Sequence, residues 1–193
     1  MAARDINTNF YLIGLTNSSD DGYAENSQQR LGGYAGRSQY CWESVISIDY
    51  STIPSDATIK SVTIDVEIID YNSGSNIVPL EVREQDKGSW KKVEGDQPRR
   101  TNPTFFDETT EFPAALSSVD IPVNGTGIFT IPSTDELVQL VQDQLDGTKN
   151  PANGIMITYY PEYYNYYLEI DSIQFTIEYE STNPTRRKVM IIS

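Results

Sequence analysis

Six tyrosines fall within the nine residues Tyr159-Tyr160-Pro161-Glu162-Tyr163-Tyr164-Asn165-Tyr166-Tyr167, the densest group of binding-type side chains in the sequence. A tyrosine offers a large rigid ring with a polar tip and few bonds to freeze, which suits stacking on a sugar and burial in a protein interface equally well. Side chains alternate across a strand, so one member of each Tyr-Tyr pair is expected to face a core and the other to face outward. The candidate contact residues are Tyr160, Tyr163, Tyr164, Tyr166 and Tyr167, with about half the cluster expected to face outward, joined by Trp90 from a separate segment. Trp42, at the start of a strand signal, is expected in the core. A second kind of contact is expected at Arg186, Arg187 and Lys188, which follow the last strand signal and precede an apolar end. Such a tail suits an acidic neighbouring surface better than DNA.

The residues that usually run enzyme chemistry are missing. The chain of 193 residues has no histidine, which removes the commonest general base, metal ligand and triad member together. Its one cysteine, Cys41, has no histidine to activate it and no second thiol to bridge to. No glycine-rich phosphate loop ending in Gly-Lys-Ser/Thr occurs. Paired carboxylates could still act, as in glycosidases, and among 28 acidic residues some pair falls close by chance, but no spacing singles one out. Asp20-Asp21 and Asp107-Glu108 could offer oxygen ligands to calcium, yet neither has the spacing of a calcium loop, so both are read as solvated acidic groups. The expectation is a non-enzyme with no cofactor and no metal site.

The elements that must position these residues are mostly strands. In Val45 to Ile69, Val62, Ile64, Val66 and Ile68 alternate with Thr63, Asp65 and Glu67, the period of a half-buried antiparallel strand. A turn at Ile53-Pro54-Ser55-Asp56 precedes it. Further strands are expected at Phe10 to Ile13, Glu43 to Tyr50, Thr58 to Asp70, Ile77 to Arg83, Val119 to Val123, Gly127 to Ile131, Ile155 to Tyr160 and Ile173 to Tyr179. Residues 84 to 118 read as a long excursion pinned by Trp90, Phe105, Phe106 and Phe112. One helix is expected after Pro132, with Ser133 as its cap, Glu136 completing a capping box, Leu137, Leu140, Val141 and Leu145 on its apolar face, and Gly147 as its left-handed stop. The sum is an all-β fold: an antiparallel β-sandwich of jelly-roll type with one short α-helix packed on it. It is expected to be a single domain over 1–193, with an extended N-terminal segment (1–20) and a C-terminal tail (181–193).

Net charge is −14, from 28 acidic against 14 basic residues, so phosphate backbones and anionic membranes are repelled at long range. No apolar run is long enough to cross a bilayer, and the start of the chain has neither the basic opening nor the apolar stretch of a secretory signal. Neither nucleic acid nor membrane is an expected partner.

The order of several motifs resembles the β-sandwich family named for its DNRLRE motif. The matching pieces are Asp21-Gly22-Tyr23, the strand ending at Ile48-Asp49, Ile53-Pro54-Ser55, and the strand entry Ala57-Thr58-Ile59-Lys60-Ser61-Val62. The helix, Asn153-Gly154-Ile155-Met156-Ile157 and the closing strand Ser172 to Tyr179 complete the likeness over about residues 20 to 180. That family is related to one class of carbohydrate-binding module and is also met in bacterial surface and phage structural proteins. A start without a secretory signal, an acidic histidine-free sandwich and a tyrosine-rich edge lead to the expectation of a non-enzymatic structural or interaction protein, a phage virion component such as a capsid decoration protein or a tail or fibre module. Its partners would be other virion or assembly proteins, or further copies of itself as a homo-oligomer, and its place the virion after synthesis in the host cytoplasm. The alternative is a carbohydrate-binding module, on an extracellular surface, holding glycans with exposed aromatic residues.

Overall fold

The computed structural model describes residues 9–16, 30–35, 39–72, 77–85, 91–92, 98–99, 113–159, 167–181 and 188–192. Its backbone forms β1 (Asn9–Thr16), β2 (Arg30–Ala35), β3 (Gln39–Ser47), β4 (Thr58–Asn72), β5 (Val78–Glu84), β6 (Lys91–Lys92) and β7 (Pro98–Arg99). After these come β8 (Ala115–Ile121), β9 (Gly127–Ile131), helix α1 (Asp135–Leu145), β10 (Ile155–Tyr159), β11 (Tyr167–Glu180) and β12 (Lys188–Ile192).

The alternating sequence of β4 does what its period requires: Val62, Ile64, Val66 and Ile68 are buried, while Thr63, Asp65 and Glu67 lie half-buried on the other face. β11 answers it with Ile173, Phe175, Ile177 and Tyr179 buried. These two long strands pair antiparallel along nearly their whole length, from Tyr167 opposite Asn72 to Glu180 opposite Thr58. With β9 on the other edge of β4 they make one three-stranded antiparallel sheet, and β8, β5 and β10 make a second. β3 and β2 link the two, giving the order β8-β5-β10-β3-β2-β11-β4-β9, with β1 on β3 and β12 on β11. Leu80, Val82, Ile121, Ile155 and Ile157 from one sheet share a single core with the buried faces of β4 and β11. The architecture is mostly β, two sheets in sandwich-like arrangement with one short helix. Among the described residues, β6 and β7 pair only with each other.

β3 and β4 do not fold as a hairpin. β3 pairs with β1, β2 and β10, whereas β4 pairs with β9 and β11, so residues 48–57 carry the chain between separate places in the sheet order. Ile48, Ile53 and Ala57 are buried along this crossing. The Asp49 carboxylate accepts the Ser51 N–H at 2.9 Å and starts a tight turn over Tyr50–Thr52. Pro54 then accepts the Ala57 N–H at 2.9 Å, closing the turn that its proline and polar residues predict. The Ser51 backbone N–H, with the Ser51 hydroxyl, holds the Asp49 carboxyl below its ordinary value.

α1 covers an edge. β9 ends opposite Ile64, and β4 runs on from there to Thr58 without it. Gln142 takes over: its Oε1 accepts the Ile59 N–H at 2.8 Å and its Nε2 donates to the Ala57 carbonyl at 3.2 Å. A side-chain amide carries the same donor and acceptor as a peptide group, so it pairs a strand edge as a neighbouring strand would. Ser133 Oγ accepts the Val62 N–H at 3.0 Å on the same stretch.

Ser133 is thereby spent on β4, and the helix cap is Thr134, whose Oγ1 accepts the Leu137 N–H at 3.2 Å and donates to the Leu116 carbonyl at 2.6 Å. This corrects the expected cap by one residue. Both side chains can cap, and the demand of the β4 edge decides between them. Thr134→Ala is expected to lower stability by about 1 kcal/mol through the lost cap, measured by urea denaturation. Gly147 has φ +74 and ends the helix, as expected from sequence.

Two further differences concern the ends of elements. β8 spans Ala115–Ile121 rather than starting at Val119, and residues 188–192, read as part of a tail, pair with β11 as β12.

Candidate functional site

Strand directions give the sandwich two ends. At one, β4 stops at Asn72, β5 begins at Val78 opposite Ile121 of β8, β9 begins at Gly127 opposite Ile68, and β10 stops at Tyr159 opposite Leu80. β11 begins there too, with Tyr167 opposite both Asn72 and Gly32. The tyrosine-rich connection therefore leaves from Tyr159 and returns at Tyr167 at this end.

Tyr159 is the inward member of its pair, 1% exposed, and its ring meets the buried ring of Tyr71 edge-on, with centroids 6.4 Å apart and planes at 66°. Tyr160, Tyr163, Tyr164 and Tyr166 lie outside the described residues; for Tyr167 the structure gives the strand position.

Exposed large aliphatic side chains collect at the same end. Ile69, Ile77, Val123 and Ile128 are 51%, 64%, 39% and 66% exposed, and they are the exposed large hydrophobics among the described residues. Ile128 sits opposite Glu67, with Ile69 a step further along β4. Ile77 precedes Val78, whose partner Ile121 leads into Pro122 and Val123. Single exposed aliphatics are ordinary, but several gathered at one end of a chain are a surface that a partner can cover.

Two β-bulges lie at this end. Along β4, Ile68 is buried, Ile69 and Asp70 are both exposed, and Tyr71 is buried again. The register with β11 slips at the same place, and again at Asp171, where Asp171 and Ser172 are both exposed. Ile69 faces outward by the same alternation as Thr63, Asp65 and Glu67, and the bulge then inserts one residue that leaves Asp70 exposed as well and returns Tyr71 to the core. Nearby, Gly125 in the β8–β9 turn donates to the Pro122 carbonyl at 2.8 Å, and a Cβ on it would stand 2.7 Å from that oxygen. Only glycine fits there.

The segments that carry the remaining expected contact residues are rooted at the other end. β5 leaves the sheet at Glu84, opposite Ile155, and the chain returns by Arg83 opposite Ala115, so the excursion carrying Trp90 is rooted beside α1. Seven residues of β5 put the two roots roughly 20 Å apart. Trp90, Arg186 and Arg187 lie outside the described residues, and Lys188 stands in β12 opposite Tyr179, again toward the helix end. The structure thus roots the tyrosines with the exposed aliphatics and roots Trp90 and the basic residues elsewhere.

Polar groups on the faces are engaged with one another. On the outer face of β4, Asp65 accepts from Thr130 at 2.5 Å, Glu67 from Ser172 at 3.0 Å, and Glu178 of β11 from Ser61 at 2.9 Å. On the outer face of the other sheet, Arg83 Nε donates to Thr158 Oγ1 at 3.3 Å, while its Nη atoms hold the Pro113 carbonyl and Glu81. Met156 and Thr158, on that face of β10, are buried. Among the described residues no group of three or more His, Cys, Asp and Glu could hold a metal ion, and no helix is long and apolar enough to cross a membrane. Asp20, Asp21, Asp107 and Glu108 lie outside the described residues.

Sequence reasoning missed the aliphatic group, although two members were legible. In Gly127-Ile128-Phe129-Thr130-Ile131, burial of Phe129 and Ile131 turns Ile128 and Thr130 outward by alternation. Ile69 was legible in the same way, since burial of Val62, Ile64, Val66 and Ile68 turns it outward, whereas the exposed Asp70 and the buried Tyr71 depend on the bulge. A scan against protein-family models finds no match, and a search of curated proteins finds none either.

Proposed function

We propose that this chain is a non-enzymatic structural and interaction protein, a virion component of the capsid-decoration or tail and fibre kind, built on a jelly-roll sandwich and working through protein contacts at its tyrosine end. The observation that carries the reading is the gathering of Ile69, Ile77, Val123 and Ile128 where the tyrosine-rich connection is rooted. Aliphatic side chains open to water beside a run of tyrosines favour burial against another protein, since aromatic anchors and apolar centres supply most of the affinity of such contacts. The likeness of the motif order to phage and bacterial surface sandwiches supports the same reading. The carbohydrate-binding alternative asks Trp90 to share a platform with the tyrosines, and their roots at opposite ends lend it no support.

The test is a density gradient of the particles made by the protein's source. The wild-type chain is expected to travel with intact particles, and Ile69→Asp/Ile128→Asp to be left in the soluble fraction while keeping its melting temperature. Wild-type chain found only in the soluble fraction contradicts the proposal.

A further inference from the structure

We infer that Asn124, in the turn between β8 and β9, is a site of spontaneous deamidation, and that the fold protects Asn153, the other asparagine followed by glycine. The sequence holds two such steps, in Pro122-Val123-Asn124-Gly125 and Pro151-Ala152-Asn153-Gly154. In both, the glycine N–H donates to the proline carbonyl, at 2.8 Å in the first and 3.1 Å in the second. Their surroundings differ. Asn124 is exposed and has φ +57, the left-handed third position of a turn, which glycine and asparagine take with least strain. The fourth position admits only glycine, since a Cβ on Gly125 would stand 2.7 Å from the Pro122 carbonyl oxygen. The geometry of this turn therefore selects the labile pair.

Deamidation begins when a solvent base takes the Gly125 amide proton and the freed nitrogen attacks Cγ of Asn124, an approach that no Cβ on the glycine obstructs. The side-chain nitrogen leaves as ammonia, taking a proton from water, and a cyclic imide joins the two residues. Water then adds at either imide carbonyl: breaking one C–N bond gives aspartate, breaking the other gives isoaspartate, and nothing is oxidised or reduced. The glycine N–H must first leave the proline carbonyl, so the cost of opening each turn sets its rate. Pro122, Val123 and Asn124 are exposed, as are Thr126, Gly127 and Ile128, and the turn joins β8 and β9, which stand at the two ends of the sheet order and ladder with β5 and β4. Opening there disturbs little. At the second turn Asn153 is half-buried and its own N–H donates to the Asn150 carbonyl at 3.0 Å, while Gly154 is buried and its carbonyl accepts Gln144 Nε2 at 3.1 Å. Ile155 follows at once, opposite Glu84 and Ile46. Opening this turn would pull on α1 and β10 together. The carboxylate formed at position 124 stands beside Val123, so the tyrosine end gains a negative charge as the chain ages, whatever that end binds.

The experiment incubates the full chain in neutral buffer, once folded and once unfolded in guanidinium, and follows both by tryptic peptide mapping with mass spectrometry. Lys149 lies between the two asparagines and places them in different peptides. In the folded chain Asn124 is expected to convert at least about ten times faster than Asn153, giving both aspartate and isoaspartate. In the unfolded chain the two rates are expected to converge. Gln144→Leu frees the Gly154 carbonyl and is expected to speed conversion at Asn153 while leaving Asn124 unchanged, with thermal melting confirming that the variant is folded at the incubation temperature. Asn124→Gly keeps a residue suited to the left-handed position and is expected to abolish the acidic band that ageing wild type develops in isoelectric focusing. Four results overturn the inference: equal rates at the two sites in the folded chain, faster conversion at Asn153, an Asn124 that stays intact in the folded chain after it has converted in the unfolded one, or an Asn153 rate that Gln144→Leu does not change.

Discussion

Phe175→Ala is expected to lower the stability of the chain by about 3–5 kcal/mol, the range for deleting a fully buried phenylalanine. The side chain is 0% exposed, and the residue stands opposite Ile64 of β4 on one side and Ile192 of β12 on the other. Its neighbours Ile173 and Ile177 lie in the same strand and face the same core, so the backbone on both sides is held and the site cannot collapse cheaply into the space. For a domain stable by about 5–15 kcal/mol, such a loss takes a large share of the total. Thr176→Ala, one residue along and on the opposite face, is expected to change stability by no more than about 0.5 kcal/mol. Urea denaturation of the two variants gives the comparison, and similar small losses from both would mean that β11 does not face the core described.

Gln144→Leu is expected to cost about 2–3 kcal/mol, because it strips two buried partners at once. Gln144 is 3% exposed, accepts the Tyr50 hydroxyl at 2.7 Å and donates to the Gly154 carbonyl at 3.1 Å. One side chain thus ties α1 both to the crossing between β3 and β4 and to the turn that enters β10. Leucine fills much of the volume but leaves the hydroxyl and the carbonyl facing apolar atoms. Adding Tyr50→Phe removes one of the two stranded groups, so the double variant is expected to be less damaged than the sum of the single ones. Burial pushes the Tyr50 hydroxyl well above its ordinary value of 10.0. A group whose folded pKa is raised gives stability that is complete below its unfolded pKa and lost as pH rises beyond it. The stability gap between wild type and Tyr50→Phe is therefore expected to narrow above about pH 10, as measured by denaturation from pH 8 upward. A gap that stays constant would mean that Tyr50 ionises as freely in the folded chain as in the unfolded one.

The local parts of this fold were legible and the non-local parts were not. β4, β9 and the second half of β11 show their faces in the alternation of their own residues, and α1 shows its apolar stripe in Leu137, Leu140 and Val141. Gln144 continues that stripe at helical spacing, but a glutamine there reads as polar surface until Tyr50 and Gly154 are seen to converge on it. The choice between Ser133 and Thr134 as cap was set by β4, distant in sequence, whose unpaired edge claimed the serine. Strand order has the same character. That β3 pairs with β10 and β2 rather than with β4 follows from which edges remain open after the other strands are placed.

The candidate site divides along the same line. The tyrosine run announced itself by composition, and strand register supplied what composition lacks: that it is rooted at the end where Ile69, Ile77, Val123 and Ile128 emerge. Trp90 joins the tyrosines, and Arg186-Arg187-Lys188 form a second kind of contact, on residue chemistry, and chemistry alone cannot say at which end of a sheet a connection begins. The described ends of their segments lie at the helix end of the sheet, away from Tyr159 and Tyr167.

The most direct test of a contact face at the tyrosine end is hydroxyl-radical footprinting of the chain free in solution and bound to particles. Protection on binding is expected at 69–77, 121–128 and 159–167, with α1 and the 48–57 crossing as reactive as in the free chain. Protection confined to α1 and its surroundings, with the tyrosine end as reactive bound as free, would contradict it.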